Sequence, residues 1–244
     1  MTFSIVARDP ATAMMGVAVS TRNLAVGALV PFARAGVGAI ATQALTNPLL
    51  GIRGLDLLEQ ASAPRVLEQL IQQDDGRQHR QLHLIDRQGT TAAWTGLECV
   101  AWAGHLEFPG FSVAGNMLVS EATLAAMAAS YQENASLSFC QRLLTALLAG
   151  QRAGGDKRGR QSAALYVVDQ DLYAELDLRV DDHPDPVTEL QRLYHESQQD
   201  YYQRFRRSLP SWRHPAGRYD ADADLIDSLV TPPALMFNPA PLAP

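Results

Sequence analysis

The chain reads as an α+β protein, a four-layer αββα sandwich of two antiparallel sheets between helical layers. Three observations predict it. Apolar and polar residues alternate with period two in short runs joined by turn sequences, the pattern of hairpin-built sheets. Two stretches switch to a helical period, and each breaks into a pair of helices. The resulting order is strands, two helices, strands, two helices, strands, and paired helices beside antiparallel sheets pack as separate layers.

Thr2-Phe3-Ser4-Ile5-Val6-Ala7-Arg8 places Phe3, Ile5 and Ala7 on one face of a strand and Thr2, Ser4 and Val6 on the other. Asp9-Pro10-Ala11-Thr12 turns the chain, and Gly16 to Thr21 returns as the second strand of a hairpin. A turn centred on Ala11 sets Thr2 opposite Ser20 and Ser4 opposite Ala18; a slip of one residue reverses the faces. Ala25 to Phe32 and Gly36 to Thr42 are apolar and read as two more buried strands, separated by Ala33-Arg34-Ala35. Gly36-Val37-Gly38 lacks the third glycine and the acidic residue of a dinucleotide loop, so close packing of a sheet accounts for it.

From Leu50 to Ile71 the leucine spacing is helical and is interrupted at Ser62-Ala63-Pro64, giving two helices with Pro64 at the start of the second. Gln81 to Ile85 and Ala92 to Thr95 form a hairpin about Asp86-Arg87-Gln88-Gly89, and short strands follow around Val100-Ala101-Trp102 and Phe111 to Ala114. Glu121 to Gln132 and Leu137 to Ala149 are the second helical pair; Ala163 to Val168 and Ala174 to Val180 are the last strands. Asp185-Pro186 opens an amphipathic helix whose apolar stripe extends to Phe205, and prolines recur from Pro210 to Pro244. The expected organisation is one domain over 2–207 and a Pro-rich tail over 208–244.

With 47% hydrophobic and 19% charged residues, 244 residues suffice for a sizeable core. A net charge of -6 argues against nucleic acid or an anionic membrane surface as the main partner. Cys99 and Cys140 lack a paired framework or ligand spacing, which fits a reducing compartment. Neither a basic n-region with an apolar run nor a stretch of about 18 apolar residues occurs, so the expected location is cytoplasmic, without membrane association.

The leading candidate for chemistry is Thr2. Aminopeptidases remove an initiator Met before a small side chain, and the α-amine so freed titrates near ~7.7–8.0, within reach of the residue's own hydroxyl. One residue then supplies nucleophile and base, with Ser4 and Ser20 placed to orient the amine. Asn116 ends a strand behind Gly115, where its amide fits an oxyanion donor, although Gly-Asn also marks a turn. In Gly154-Gly155-Asp156-Lys157-Arg158-Gly159-Arg160-Gln161-Ser162, Arg158 and Arg160 offer forks for a carboxylate and Asp156 can hold one of them; an ion-pair network closing a turn explains the same residues. Gln43, at a strand end, is either a substrate contact or a sheet cap. His79 and His83 fall on one strand face without a third ligand, His105 reads as structural, and Asp before Pro186 is explained by helix capping. No metal and no cofactor are expected, and no GxSxG, HExxH or Cys-His signature is present.

Taken together, the segments Thr2 to Asp9, Gly16 to Ser20, Gly36 to Ala44, Gly115-Asn116, Gly159 to Ala163 and Asp177 to Pro184 resemble the bacterial domain-of-unknown-function family numbered 1028. The resemblance runs from Thr2 to about Leu193. That family looks like part of the N-terminal-nucleophile (Ntn) hydrolase superfamily, so the resemblance implies an αββα fold and an amide-bond hydrolase in which the freed first residue attacks. It implies no substrate. The only lysine is Lys157, whereas proteasome-like relatives use a lysine on an early strand; Arg22 or Arg34 can supply charge there but cannot accept a proton.

The expectation is therefore an amidohydrolase acting on a small, carboxylate-bearing substrate, with Thr2, Ser4, Ser20 and Asn116 catalytic and Gln43, Asp156, Arg158 and Arg160 binding substrate. A homo-oligomer is compatible with this. The alternative is a catalytically silent scaffold of the same fold that binds a small ligand or a protein partner.

Overall fold

The computed structural model describes residues 2–217. Two compact units divide between Leu193 and Tyr194. The first is the four-layer αββα sandwich that the element order predicts.

One sheet has six strands in the order β10-β9-β2-β1-β8-β7 and the other four, β3-β4-β5-β6. In the first, β1 (Thr2–Arg8) lies centrally between β2 (Met15–Thr21) and β8 (Phe111–Asn116), flanked by β7 (Gly104–Phe108), β9 (Ser162–Val168) and β10 (Leu176–Val180). The second contains β3 (Pro31–Arg34), β4 (Gly38–Ala44), β5 (Arg80–Asp86) and β6 (Thr91–Thr95). Helices α1 (Pro48–Leu58) and α2 (Ala63–Gln72) cover the four-stranded sheet, and α3 (Ala122–Glu133) and α4 (Phe139–Arg152) cover the six-stranded one.

Alternation decides what each layer holds. Val6, Val17, Val19, Ala39, Ala41 and Ile85 point between the sheets and form one core; Ile40, Leu82 and Leu84 point outward and pack under Leu50, Leu55, Val66 and Leu70 of α1 and α2. Thr2 and Ser4 share the face of Val6 and so lie between the sheets.

Local chemistry fixes the ends. Asn47 caps α1 through Leu49 N, and Ser138 with Gln141 makes a capping box on α4. Asp86, 1% exposed at the end of β5, accepts Gln88 N and Thr90 N in its hairpin and also Ala63 N at the start of α2, so one carboxylate closes a turn and docks a helix. Gly38 lets β4 approach β5, since a Cβ there would meet Ile85 O at 2.5 Å.

Several expectations are corrected. The first hairpin pairs Thr2 with Thr21, Phe3 with Ser20 and Ser4 with Val19, one residue from the expected register. Asp9 accepts Thr12 N and Oγ1, and Ala13 takes a left-handed φ of 64, which lengthens the turn by a residue. Residues 25–30 are not strand: Ala25 is left-handed, its N–H is taken by Asp181 O, and a 3-10 turn over Val26–Ala28 delays the strand to Pro31–Arg34, through residues expected to separate two strands. Val100-Ala101-Trp102 is a loop ahead of β7, because Met117 and Leu118 N–H groups bond to Val100 and Trp102 carbonyls outside the ladder. His79 lies in the 3-10 turn Arg77–His79, paired with Glu98, and not on the strand of His83. The last amphipathic stretch is two helices, α5 (Pro186–Ser197) and α6 (Asp200–Ser208), and the tail from residue 218 on lies outside the described residues. Among the described residues no helix is long and apolar enough to cross a membrane.

Candidate active site

Thr2 begins the central strand, and its inward rung is Thr21-Thr2-Asn116 across β2, β1 and β8. All three side chains share a face in such pairing. Thr2 Oγ1 lies 3.2 Å from Thr21 Oγ1, and Thr2, Thr21 and Asn116 are all buried. Asn116 is the last strand residue, and Met117 after it takes the left-handed conformation with φ 52. The turn that Gly-Asn announces is thus made by Met117, which leaves the Asn116 amide on the inner face beside Thr2.

Asn116 is held by a polar network spanning the sheets. Its Nδ2 donates to Gln81 Oε1 (3.0 Å), which also accepts Gln43 Nε2 (2.8 Å). Gln81 Nε2 donates to the carbonyls of Gly115 (2.8 Å) and Gly104 (3.0 Å) and to Thr95 Oγ1. Gln43 Oε1 accepts the Ser4 hydroxyl at 2.7 Å, and Ser4 Oγ is 2.8 Å from His83 Nε2, whose Nδ1 is 2.8 Å from Ser112 Oγ.

The proton directions follow from the donor inventory. An amide oxygen only accepts, so the single Ser4 proton is committed to Gln43. His83 Nε2–H must then donate to Ser4, and His83 Nδ1 accepts from the Ser112 hydroxyl. One chain of hydrogen bonds runs from Ser112 through His83, Ser4, Gln43 and Gln81, with no charged member. Small neighbours admit the ring: His83 lies between Ala41 and Ala93 in its sheet. Burial, reinforced by repulsion from His105 and opposed by a hydrogen bond at Ser112, pushes the His83 imidazole down to about 3, so it is neutral in this site.

The loop after α4 closes the same end of the sandwich. Asp156 accepts Arg22 N (2.9 Å) and Arg158 N (2.8 Å), Lys157 N bonds to Met117 O, and Gln161 N to Thr21 O. The loop therefore ties the end of β2 to the end of β8 on either side of Thr2. Its arginines are engaged: Arg158 pairs with Asp156 at 3.3 Å and Arg160 with Asp185 at 3.1 Å.

Of the residues singled out by sequence, Thr2, Ser4, Asn116 and Gln43 are brought together, with Asp156 in the loop beside them. Gln43 is fully buried between Ser4 and Gln81, and so braces the site from within. Ser20 pairs with Phe3 on the opposite face and donates to Ser162 O; Thr21 stands where Ser20 was expected. Arg34 pairs with Asp56 and Glu59 through the far end of β3, while Arg22 donates to Gln161 and Lys157 Nζ to Ala101 O. Gln81, Ser112 and Thr21 carry no expectation from the sequence, and His83 is weighed there only as a metal ligand. Their signal in the sequence is a polar residue at every second place of an otherwise apolar strand, as in Gln81-Leu82-His83-Leu84. Thr2 is 6% exposed; two clefts lie away from it, one against α2 and β6 and another at the Arg8 end of β1.

A family model described as a family of unknown function, DUF1028, matches residues 2–190. Protein SPO2555 from Silicibacter pomeroyi, whose crystal structure is described under the same family model, is 33% identical with a TM-score of 0.83, covering 88% of this chain and 98% of that one. Anbu (ancestral beta-subunit) from Yersinia bercovieri aligns over 80% of this chain and 94% of that one at 12% identity and a TM-score of 0.36, a likeness too slight to bear on the site. No curated protein matches the chain.

Proposed function

The chain belongs to the DUF1028 family of unknown function, and on that premise we propose that it is an N-terminal-nucleophile amidohydrolase of an Ntn-like kind, with Thr2 as nucleophile once Met1 is removed. The observation that carries this reading is the rung Thr21-Thr2-Asn116 at the head of the central strand, with the Asn116 amide fixed by Gln81.

In this mechanism the Thr2 α-amine takes the proton from Oγ1 as that oxygen attacks a carbonyl carbon. Asn116 Nδ2 commits one of its two protons to Gln81, and its second stabilises the oxyanion together with a backbone N–H. As the C–N bond breaks, the α-ammonium returns the proton to the leaving amine. Water, deprotonated by the same amine, then cleaves the Thr2 ester. Ser4 acts through the network and not as a second nucleophile, because its proton is held by Gln43. The pairing of Arg158 and Arg160 with aspartates favours the ion-pair role of that loop, and the substrate carboxylate loses its sequence support.

The test is the intact mass of the purified protein, followed by labelling with a threonine-directed electrophile. Loss of Met1, with labelling of wild type and none of Thr2→Ala, is the expected result. Retention of Met1 in protein made by a cell with normal processing would overturn it. The second reading, a silent scaffold of the same fold, is favoured by the near-complete burial of Thr2; it predicts unchanged ligand binding in Thr2→Ala and no labelling of either form.

A further inference from the structure

The cleft at the other end of β1 has a chemistry that the Thr2 site does not use. Arg8 closes β1 about 20 Å along the strand from Thr2, at ~3.3 Å per residue. Together with Arg142, Phe108, Phe111 and Tyr131 it lines a cleft of about 520 Å³, within the range of small-molecule sites.

Its wall is one continuous stack. The Arg142 guanidinium lies 4.1 Å over the Tyr131 ring, Tyr131 packs on Phe111 at 4.6 Å, and Phe111 on Phe108 at 4.6 Å with the planes 7° apart. Gly89 and Gly110 take φ of +85 and +87, which favours glycine, and at Gly110 an added Cβ would meet only Arg8 O at 3.9 Å, so this side of the cleft is bare backbone.

Among the described residues, neither Arg8 nor Arg142 has a carboxylate partner. Arg142 donates Nη2 to Tyr131 O at 3.2 Å, but its buried Nε finds no acceptor in the protein. Tyr131, 3% exposed, likewise has an Oη with no partner. Asp9, whose charge acts on Tyr131, is engaged by the Thr12 N–H and hydroxyl. Burial holds the Tyr131 phenol up to about 12, against the opposing pull of Arg142 and with the support of Asp9, so it stays neutral.

We propose that this cleft is a binding site for a small anion with a flat apolar body, an aromatic carboxylate or phosphate monoester. The acidic group meets Arg8 and Arg142, and the ring lies along Phe108. Two guanidinium groups that pair with no acid among the described residues, beside a low-dielectric aromatic wall, select an anion over a neutral ring of the same shape.

Isothermal titration of the full chain with phenylacetate and with phenyl phosphate tests this, with benzyl alcohol as the neutral control. Saturable binding of either anion is expected, weakened about tenfold or more in Arg8→Gln and in Arg142→Gln and reduced by salt. The tighter of the two anions assigns the acidic group to the carboxylate or the phosphate class. Arg8→Gln removes no hydrogen bond that holds the fold, so it decides the matter where Arg142→Gln melts early. Absence of saturation by both anions, equal binding of benzyl alcohol, or undiminished affinity in a folded Arg8→Gln would each sink the proposal. None of these outcomes depends on Thr2.

Discussion

Acid should unfold this protein in large part through one residue, His83. Its ring is fully buried, its two nitrogens lie against the hydroxyls of Ser4 and Ser112, and no carboxylate in the network can share a positive charge. Burial first, then the proximity of His105, lowers its ionisation from 6.5 to about 3. The unfolded imidazole takes a proton below about pH 6.5, whereas the native one refuses it until about pH 3. Stability is therefore fully present above the unfolded value and is lost as pH falls toward the folded one, by ~1.4 kcal/mol per pH unit. Integrated from about pH 6 to about pH 4, the loss from this residue is about 2.5 kcal/mol. Urea midpoints over that range for wild type and His83→Gln isolate it, because other titrating groups cancel in the difference. The variant is expected to be the less stable near neutrality and to lose that disadvantage by about 2.5 kcal/mol as pH falls. A difference that stays constant with pH would show that native His83 ionises normally, and the network argument would fall with it. Nitrogen NMR supplies a second check: Nδ1 should appear as the unprotonated nitrogen throughout.

Gln81→Leu strips the partners from Gln43 Nε2, Asn116 Nδ2 and the carbonyls of Gly104 and Gly115; we expect a loss of ~3–4 kcal/mol in urea unfolding and, in the fraction that remains folded, slower labelling of Thr2. Undiminished labelling would separate Gln81 from the placing of Asn116. Asp86→Ala removes the acceptor of three N–H groups and should cost ~2–4 kcal/mol, with Asp86→Asn milder because one amide oxygen still serves Gln88 and Thr90; equal effects of the two would contradict the double role. Gly38→Ala forces a Cβ against Ile85 O and should lower stability by ~1–3 kcal/mol, read from the thermal midpoint, and a neutral result would mean that β4 and β5 can separate freely.

The layers were legible because period and turn chemistry are local. Phe3, Ile5 and Ala7 against Thr2, Ser4 and Val6 needs only alternation, and the observed strand Thr2–Arg8 keeps it. The register was not legible, because it depended on Ala13 adopting a left-handed conformation and on Asp9 reaching Thr12, neither of which composition announces. The errors at 25–30 and 100–102 share a cause. Both are apolar runs whose backbone groups are taken by distant loops, Asp181 in the first case and Met117 and Leu118 in the second, and a window of ten residues contains no trace of that capture.

The site shows the same division more sharply. Thr2 and Ser4 were found from one strand, and Asn116 from the glycine before it. The network that fixes Asn116 joins Ser4 to Gln43 and His83, 39 and 79 residues away, and exists only because two sheets stack. A polar residue placed inward on one strand is a liability unless the facing strand answers it. Here Ser4, Ser112, Gln43, Gln81 and His83 answer one another, and nothing in their spacing along the chain requires it. Arg160 shows the converse: the sequence leaves a carboxylate ligand and an ion pair equally open, because its partner Asp185 lies on a different segment. A charged side chain in a glycine-rich loop therefore points to a ligand only after the acids that the fold brings to it have been counted. By that criterion Arg8 and Arg142, which have no acid partner among the described residues, are stronger evidence for an anion than the arginine-rich loop.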